Sequence, residues 1–120
     1  VPTYLLTHWG RDRDRGERIP VEQLVASQTR DTAALYDLHD RGVLAPGMKA
    51  DLNVIDFEGL RIHPPKMVRD LPTGAGRLLQ GVDGYEYTIC SGQVTFEKGE
   101  PTGAMPGKVI RGAQPAPIST

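Results

Sequence analysis

Three histidines and one cysteine are the residues of this sequence best suited to metal binding or nucleophilic chemistry. His8, His39 and His63 are far apart, and the sequence contains no His-x-His, His-x-x-x-His or Cys-x-x-Cys motif. Metal sites are commonly built on such short motifs, because one backbone segment then fixes the geometry of two ligands. The sequence therefore predicts no self-contained zinc site, and we expect the histidines to be capping or surface groups.

Cys90 is the single cysteine, so it cannot form an internal disulfide, and nothing here requires an oxidising compartment. It lies in a predicted strand near Thr88, Ile89 and Val94. This apolar setting suits a small buried hydrophobic residue better than a nucleophile. We therefore expect a cytoplasmic protein in which Cys90 is buried.

Other catalytic motifs are also absent from the sequence. There is no Gly-x-Ser-x-Gly elbow, and the glycine-rich residues 73–76 lack the Lys-Ser/Thr and the helix of a phosphate-binding loop. The carboxylate pairs Asp12 with Asp14 and Asp37 with Asp40 lie in polar stretches, where water solvates them. Taken alone, the 120 residues contain no recognisable catalytic apparatus.

Composition excludes several classes of protein. The 14 Gly and 10 Pro residues are a fifth of the 120, which rules out a large regular helical bundle. The net charge of -1 attracts neither nucleic acid nor an anionic membrane surface, and no apolar run is long enough to span a bilayer. The first residues contain neither an initiator Met nor a signal peptide, so we expect the sequence to be part of a longer protein.

Helical patterns fill the first third of the chain. Apolar spacing predicts a helix over residues 3–15, ended by Gly16, in which the alternating charges of residues 11–15 form a solvated end. Pro20 opens a second helix and Thr29 caps a third that ends at residues 38–40, so two short helices are favoured over one long helix.

Extended patterns follow. Residues 51–56 are predicted to form a strand covered on both sides, and residues 59–77, rich in Pro and Gly, a long surface loop. Residues 85–98 alternate as in a β-hairpin with its turn at residues 91–93, and residues 113–120 are a Pro-rich flexible tail.

Residues 29–56 carry a specific resemblance. Their Asp40-Arg41-Gly42, Leu44, Pro46-Gly47 and Ala50-Asp51 follow the D-R-G-x-L-x-P-G-x-x-A-D pattern of the metal-dependent amidohydrolase superfamily. Residues 88–94 and 102–112 are similar to the final hairpin and closing passage of its amidohydrolase-3 branch, the N-acyl-D-amino-acid deacylases or D-aminoacylases.

The resemblance implies an α+β segment with a defined place in a larger enzyme. Residues 1–40 would be the terminal helices of a (β/α)8 barrel, and residues 41–112 a β-rich lobe that is part of a composite β-sandwich. The parent would hydrolyse an amide C–N bond with a zinc-bound hydroxide. Its metal ligands and catalytic Asp would lie upstream, so no metal or catalytic residue is assigned in this sequence, and its partners would be the rest of the enzyme chain and a small-molecule amide substrate.

His8 and Trp9 are the candidates for contact with substrate, at the rim of the active site, because loops after barrel strands line the catalytic face. The alternative for both is packing on the helix surface. Residues 1–10 contain no arginine to bind a substrate carboxylate, as a deacylase of acyl-D-amino acids is expected to do.

Two further hypotheses remain open at this point. The chain could be an independent interaction module that uses residues 59–77 as its contact surface, or it could belong to a cyclic amidase of the hydantoinase or dihydroorotase kind. In the amidohydrolase interpretation, helices cut from a barrel wall keep an apolar face without its cover, so we expect exposed apolar surface and self-association. The residues of that face are Leu5, Leu24, Val25 and Leu35.

Overall fold

The first helix is formed in the computed structural model, which describes residues 2–118. Helix α1 begins with an α-helical turn at Pro2–Tyr4 and continues without a break as a π-helix at Leu5–Asp12. The helix ends three residues before the predicted residue 15, because Arg13 is extended, with φ -64° and ψ 126°.

The second helix corrects the prediction of two short helices. Helix α2 is continuous through an α-helical part at Val21–Ala26, a π-helical part at Ser27–Asp31 and an α-helical part at Thr32–Leu35. Thr29 does not cap a new helix, since its hydroxyl donates back to the carbonyl of Val25 at 2.7 Å. Asp37 is left-handed, with φ 55°, so the helix ends before the predicted residues 38–40.

A four-stranded antiparallel sheet follows the helices, in the spatial order β1-β6-β7-β8. The strands are β1 at Leu52–Ile55, β6 at Tyr85–Cys90, β7 at Gln93–Glu97 and β8 at Glu100–Pro101. The predicted strand at 51–56 and hairpin at 85–98 are confirmed. The hairpin turn has two residues, Ser91 and Gly92, both with positive φ as in a type I′ turn, whose twist matches that of paired strands.

Strand β1 is covered less than the sequence predicts. It lies at one edge of the sheet, Asn53 is exposed, and the side chain of Val54 is 46% exposed. Leu52 and Ile55 are half-buried, with a register shift between Val54 and Ile55. The prediction that this strand is covered on both sides is therefore wrong for this chain.

Residues 59–77 are not the predicted surface loop, because most of them belong to a long hairpin. Strand β2 at Arg61–Ile62 pairs with β5 at Val82–Asp83, and β3 at Lys66–Val68 pairs with β4 at Arg77–Leu79. A 3₁₀ turn at Pro72–Gly74 closes the hairpin. We call residues 61–83 the arm, and residues 57–60, which lead into it, the root of the arm.

The core is small and lies where α1, α2 and the root of the arm meet. Leu6 and Leu24 pack with Leu60, which has no exposed surface. The predicted uncovered face is only partly correct, because Leu24 is buried, whereas Leu35 is 78% exposed. Neither helix within residues 2–118 combines the length and apolar character needed to cross a membrane.

The predicted tail, residues 113–120, is joined to the helical part of the chain at Gln114. Gln114 forms a parallel bridge beside Leu38, in which its N–H donates to the carbonyl of Asp37 and its carbonyl accepts from the N–H of His39, both at 2.9 Å. Residues 1, 119 and 120, which the predicted segments 1–40 and 113–120 include, lie outside the described residues.

The chain has more surface than a compact protein of its mass. Its accessible area is 9164 Å², whereas a compact monomer of 13.1 kDa exposes roughly 6400 Å². Its radius of gyration is 16.7 Å, against about 14 Å for a compact chain of this length. The molecule is a slab about 24 Å thick, so apolar groups that a compact fold would bury remain at its faces.

We expect the chain on its own to bind an apolar dye and to associate as its concentration rises. Leu35 and Leu44 are 78% and 84% exposed, and apolar surface of this kind associates in water. Sedimentation velocity across a concentration series, with and without the dye, measures both effects. The double variant Leu35→Ser, Leu44→Ser should associate less than the native chain; a native chain that stays monomeric without binding dye contradicts the prediction.

Candidate functional site

His8 and Trp9 lie in the π-helical part of α1 and form part of an aromatic stack. The imidazole of His8 is stacked on the ring of Tyr4, with centroids 5.1 Å apart and planes 5° apart. The ring of Trp9 meets His8 edge-on at 5.2 Å. The guanidinium of Arg13 lies 4.6 Å from the Trp9 centroid. The structure therefore places His8 between Tyr4 and Trp9, and Trp9 also packs against the core.

A cavity of about 290 Å³ lies beside this stack, between α1 and the root of the arm. His8 lines it and Trp9 does not. Arg61 also lines it, and the Arg61 guanidinium donates to the carbonyls of Glu58 and Leu60 at 3.2 and 3.0 Å. The cavity thus combines an imidazole with an arginine that comes from a distant part of the sequence.

Arg11 fastens α1 to the root of the arm, a role that the sequence did not indicate. Its Nη1 donates to the carbonyls of Phe57 at 2.7 Å and Glu58 at 3.2 Å, and its Nη2 donates to that of Leu60 at 3.0 Å. Asp12 accepts from Nε at 2.8 Å, and this hydrogen bond lowers the pKa of the Asp12 carboxyl. The side chain is only 15% exposed, so the predicted solvated helix end is wrong for Arg11.

The other two histidines are paired with carboxylates in separate places. His39 Nε2 lies 3.4 Å from a carboxylate oxygen of Asp37, and His63 Nε2 lies 2.9 Å from one of Asp83. Both imidazoles are about half exposed. Within residues 2–118 no three His, Cys, Asp or Glu side chains converge in a way that could hold a metal ion.

Residues 40–51, which we call the signature turn, are held together by charge pairing. The Arg41 guanidinium donates from Nε and Nη2 to the two carboxylate oxygens of Asp40, at 2.8 and 2.9 Å. The Arg41 Nη1 lies 3.9 Å from Asp51 Oδ2. The backbone N–H of Lys49 donates to the Asp40 carbonyl at 2.7 Å, which closes the turn.

The signature turn is also joined to the tip of the β6–β7 hairpin. The carboxylate of Asp51 accepts the backbone N–H of Ser91 at 2.8 Å, and the carbonyl of Ala50 accepts that of Gly92 at 2.9 Å. Carboxylates that accept backbone N–H groups in this way stabilise tight turns. The residues of the D-R-G-x-L-x-P-G-x-x-A-D pattern therefore position the helical part relative to the sheet and do not form a reactive site of their own.

Cys90 does not have the apolar, buried setting predicted for it. It is half-buried at the end of β6, and it lines a cavity together with Arg41, Lys49 and Asp51 of the signature turn. The prediction failed because the charged neighbours come from residues about 40 positions earlier, which local periodicity does not reveal.

The Asp40–Arg41 pair makes stability depend on pH at the acid end. The hydrogen bonds and charge of Arg41 hold the pKa of Asp40 below its usual range, which is about 3.9 in an unfolded chain. The folded state therefore binds fewer protons, so the stabilisation is complete above pH 4 and is lost as pH falls through the folded-state pKa. Urea unfolding from pH 5 to pH 2 should show a weaker acid dependence for Asp40→Asn.

The same loss should appear in Arg41→Gln, because this variant removes the cause of the low pKa. The double variant Asp40→Asn, Arg41→Gln should show no further loss of acid dependence, since each substitution removes the same ion pair. Additive changes in the two single variants would contradict the assignment of this acid dependence to the pair.

Comparison with known proteins identifies the family. A protein-family model described as the amidohydrolase family matches residues 2–96. This chain belongs to the amidohydrolase family. No curated protein and no solved structure matches it.

The amidohydrolase match includes both helices, the signature turn and the arm, and it ends within β7. The sequence resemblance in residues 29–56 therefore indicated the correct family. Residues 102–112, which resemble the closing passage of the deacylases, lie beyond the match.

Proposed function

We propose that this chain is the C-terminal portion of a zinc-dependent amidohydrolase that cleaves the amide bond of N-acyl-D-amino acids. The observation that carries the proposal is the amidohydrolase match over residues 2–96, because it includes most of the chain. In this proposal the chain is a scaffold, its partners are the rest of the enzyme and a small-molecule amide, and the enzyme is cytoplasmic.

The scaffold role is supported by the surface of the chain. Helices α1 and α2 would be the last helices of a (β/α)8 barrel, and the sheet would be part of a composite β-sandwich. The area in excess of a compact monomer is roughly 2800 Å² on this chain alone, and an obligate interface buries about 1000–2500 Å² or more on each partner. A partner that covers the exposed apolar groups would account for this excess.

Zinc would be held by residues outside this chain. The described residues do not fit a zinc ion, because no three potential ligands converge within residues 2–118, and a zinc site needs three or four. The chain would support the barrel wall and would contact substrate only at the entrance, so no chemical step is assigned to its own side chains.

The substrate class rests on the similarity of residues 102–112 to the closing passage of the N-acyl-D-amino-acid deacylases. Cyclic amidases are the rival within the same family. A panel containing N-acyl-D-amino acids, their L-enantiomers and cyclic imides, tested on the full-length enzyme, separates the two substrate classes. Turnover of the cyclic imides alone would reject the deacylase proposal.

Incubation of the isolated chain with zinc and N-acyl-D-amino acids tests the scaffold role. We expect no turnover above the buffer with zinc, and we expect activity when a polypeptide supplying the barrel is added. The control is the same mixture with the Gly42→Ala variant in place of the native chain. It should restore less activity, because the substitution weakens the fold without changing a reactive group. Zinc-dependent turnover by the isolated chain would overturn the scaffold role.

We propose that His8, with Trp9 packed against it, lines the substrate entrance of the full enzyme. The cavity beside His8, with Arg61 in its wall, supports this role, because Arg61 could bind a carboxylate. We expect His8→Ala to raise KM about tenfold with little change in kcat. A contact at the entrance contributes about 1.4 kcal/mol, and it stabilises the bound substrate and the transition state equally.

Steady-state kinetics on the full enzyme measure this effect, and Glu22→Gln, at an exposed polar position of α2, is the control. If the stack of His8 on Tyr4 has only a packing role, the two kinetic constants stay unchanged and the loss appears in thermal stability alone. That result would reject substrate contact.

A further inference from the structure

A second cavity, of about 330 Å³, lies between the signature turn, the end of β6 and the passage 106–110. The polar part of its wall is rich in cations, namely Arg41, Lys49 and Lys108. The acidic residue in the wall is Asp51, and Cys90 contributes a thiol. None of these groups has a part in the function proposed above.

Arg41 is mostly buried, and part of its guanidinium has no acceptor. Its Nε and Nη2 are taken by Asp40, but among the described residues Nη1 donates no hydrogen bond. The nearest carboxylate oxygen, Asp51 Oδ2, is 3.9 Å away, and the side chain is 16% exposed. Two N–H groups of Arg41 are therefore available to a ligand in the cavity.

Lys49 and Lys108 add positive charge that is not neutralised by a direct ion pair. Neither ammonium group has a carboxylate within 4.0 Å or a side-chain hydrogen bond in the part of the chain that the structure describes. Asp51 is already engaged, since its Oδ1 accepts the N–H of Ser91. Together with Asp40 and Arg41, these residues leave one net positive charge at the cavity.

We propose that this cavity binds a small oxyanion with the size and charge of inorganic phosphate. Such an ion would accept hydrogen bonds from the free Nη1 of Arg41 and would pair with the two ammonium groups, which offer only donors. The volume of the cavity accommodates a tetrahedral oxyanion together with water. The site is separate from the proposed amidohydrolase chemistry, so either assignment can fail without the other.

Cys90 reports on the cavity, because it lines the same wall. Trypsin releases it in one peptide, residues 78–98, since no Lys or Arg lies between Arg77 and Lys98. Alkylation of Cys90 by iodoacetamide, a neutral reagent, is followed by mass spectrometry of that peptide at constant pH. Inorganic phosphate is compared with sodium chloride at equal ionic strength.

The expected result is saturable protection by phosphate and none by chloride. At a phosphate concentration about ten times the Kd, the rate should fall about tenfold by mass action. The double variant Lys49→Gln, Lys108→Gln should lose the protection, whereas Lys66→Gln on the arm, which removes one exposed lysine elsewhere, should keep it. Both lysines of the cavity are exposed, so the double variant should fold.

Line broadening of the phosphate resonance in ³¹P NMR gives a readout that does not depend on thiol reactivity. Broadening by the native chain that disappears in the double variant supports the site. The proposal is overturned if phosphate does not protect Cys90 from alkylation and its ³¹P resonance is not broadened by the chain. It is also overturned if the double variant and the native chain respond equally, because binding then does not involve this cavity.

Discussion

Replacement of Gly42 by alanine should lower the free energy of unfolding by about 3 kcal/mol, the sum expected of a strained backbone and an overpacked contact. Gly42 has φ +89°, a conformation that L side chains rarely adopt. An added Cβ would lie 2.8 Å from the Cβ of Ala33 and 2.9 Å from the carbonyl oxygen of Thr29. Both contacts belong to α2, so neither can move without displacing the helix.

Gly103→Ala is the matched control for this prediction. Its φ is +90°, nearly that of Gly42, but an added Cβ would have no heavy atom within 4 Å. Only the backbone cost remains, so the loss should be about 1 kcal/mol. Urea unfolding can be followed by the fluorescence of Trp9, the single tryptophan, which packs against the core. Equal losses in the two variants would show that the close approach of the signature turn to α2 does not matter.

Local patterns in the sequence predicted the local parts of the fold. The hairpin at 85–98 followed from alternating apolar residues on either side of a turn predicted at residues 91–93, of which Ser91 and Gly92 form the turn in the structure. The strand at 51–56 followed from its apolar run. The family also followed from a local pattern, in residues 29–56. In each case the residues that determine the structure are close neighbours in the chain.

The arm shows where this reasoning fails. Pro and Gly are frequent between residues 59 and 77, and they favour a loop. The structure pairs Lys66 with Leu79 and Val68 with Arg77. Asp70 accepts two hydrogen bonds from Arg77, which brings the two strands together near the 3₁₀ turn. This ion pair joins residues seven positions apart, so apolar periodicity gave no sign of it.

Long-range contacts also determine the candidate sites. Arg11 belongs to a run of alternating charges, and such runs are usually solvated, but its acceptors are main-chain carbonyls 46 to 49 residues away. Arg41 and Asp51 gain Ser91 and Cys90 as neighbours through the sheet. Carbonyl groups exist at every residue, so a sequence does not show which of them an arginine will reach.

Replacement of Arg11 by methionine should cost about 2 kcal/mol of stability, in the range for hydrogen bonds from a charged donor to partly buried acceptors. Methionine retains the length and apolar stem of the side chain, so the loss isolates the guanidinium. The carbonyls of Phe57 and Leu60 would each lose a donor at the point where the root of the arm meets α1, although Leu60 keeps the one from Arg61. Arg11→Lys should cost less stability than Arg11→Met but should not equal the native chain, because one ammonium group does not reproduce the planar fork that reaches both carbonyls.

Arg30→Met separates this role from that of a simple ion pair. Arg30 pairs with Asp31 through Nε at 2.9 Å, much as Arg11 pairs with Asp12 at 2.8 Å, but its side chain is 63% exposed. An exposed pair of this kind contributes about 0.5 kcal/mol or less. Urea unfolding of the two methionine variants should therefore give clearly different losses, and hydrogen exchange at the N–H of Leu60 should accelerate only in Arg11→Met. An equally small loss of unfolding free energy in both variants would show that the carbonyl contacts do not hold α1 to the arm. The association of the two elements would then depend on the packing of Leu6 and Leu24 against Leu60.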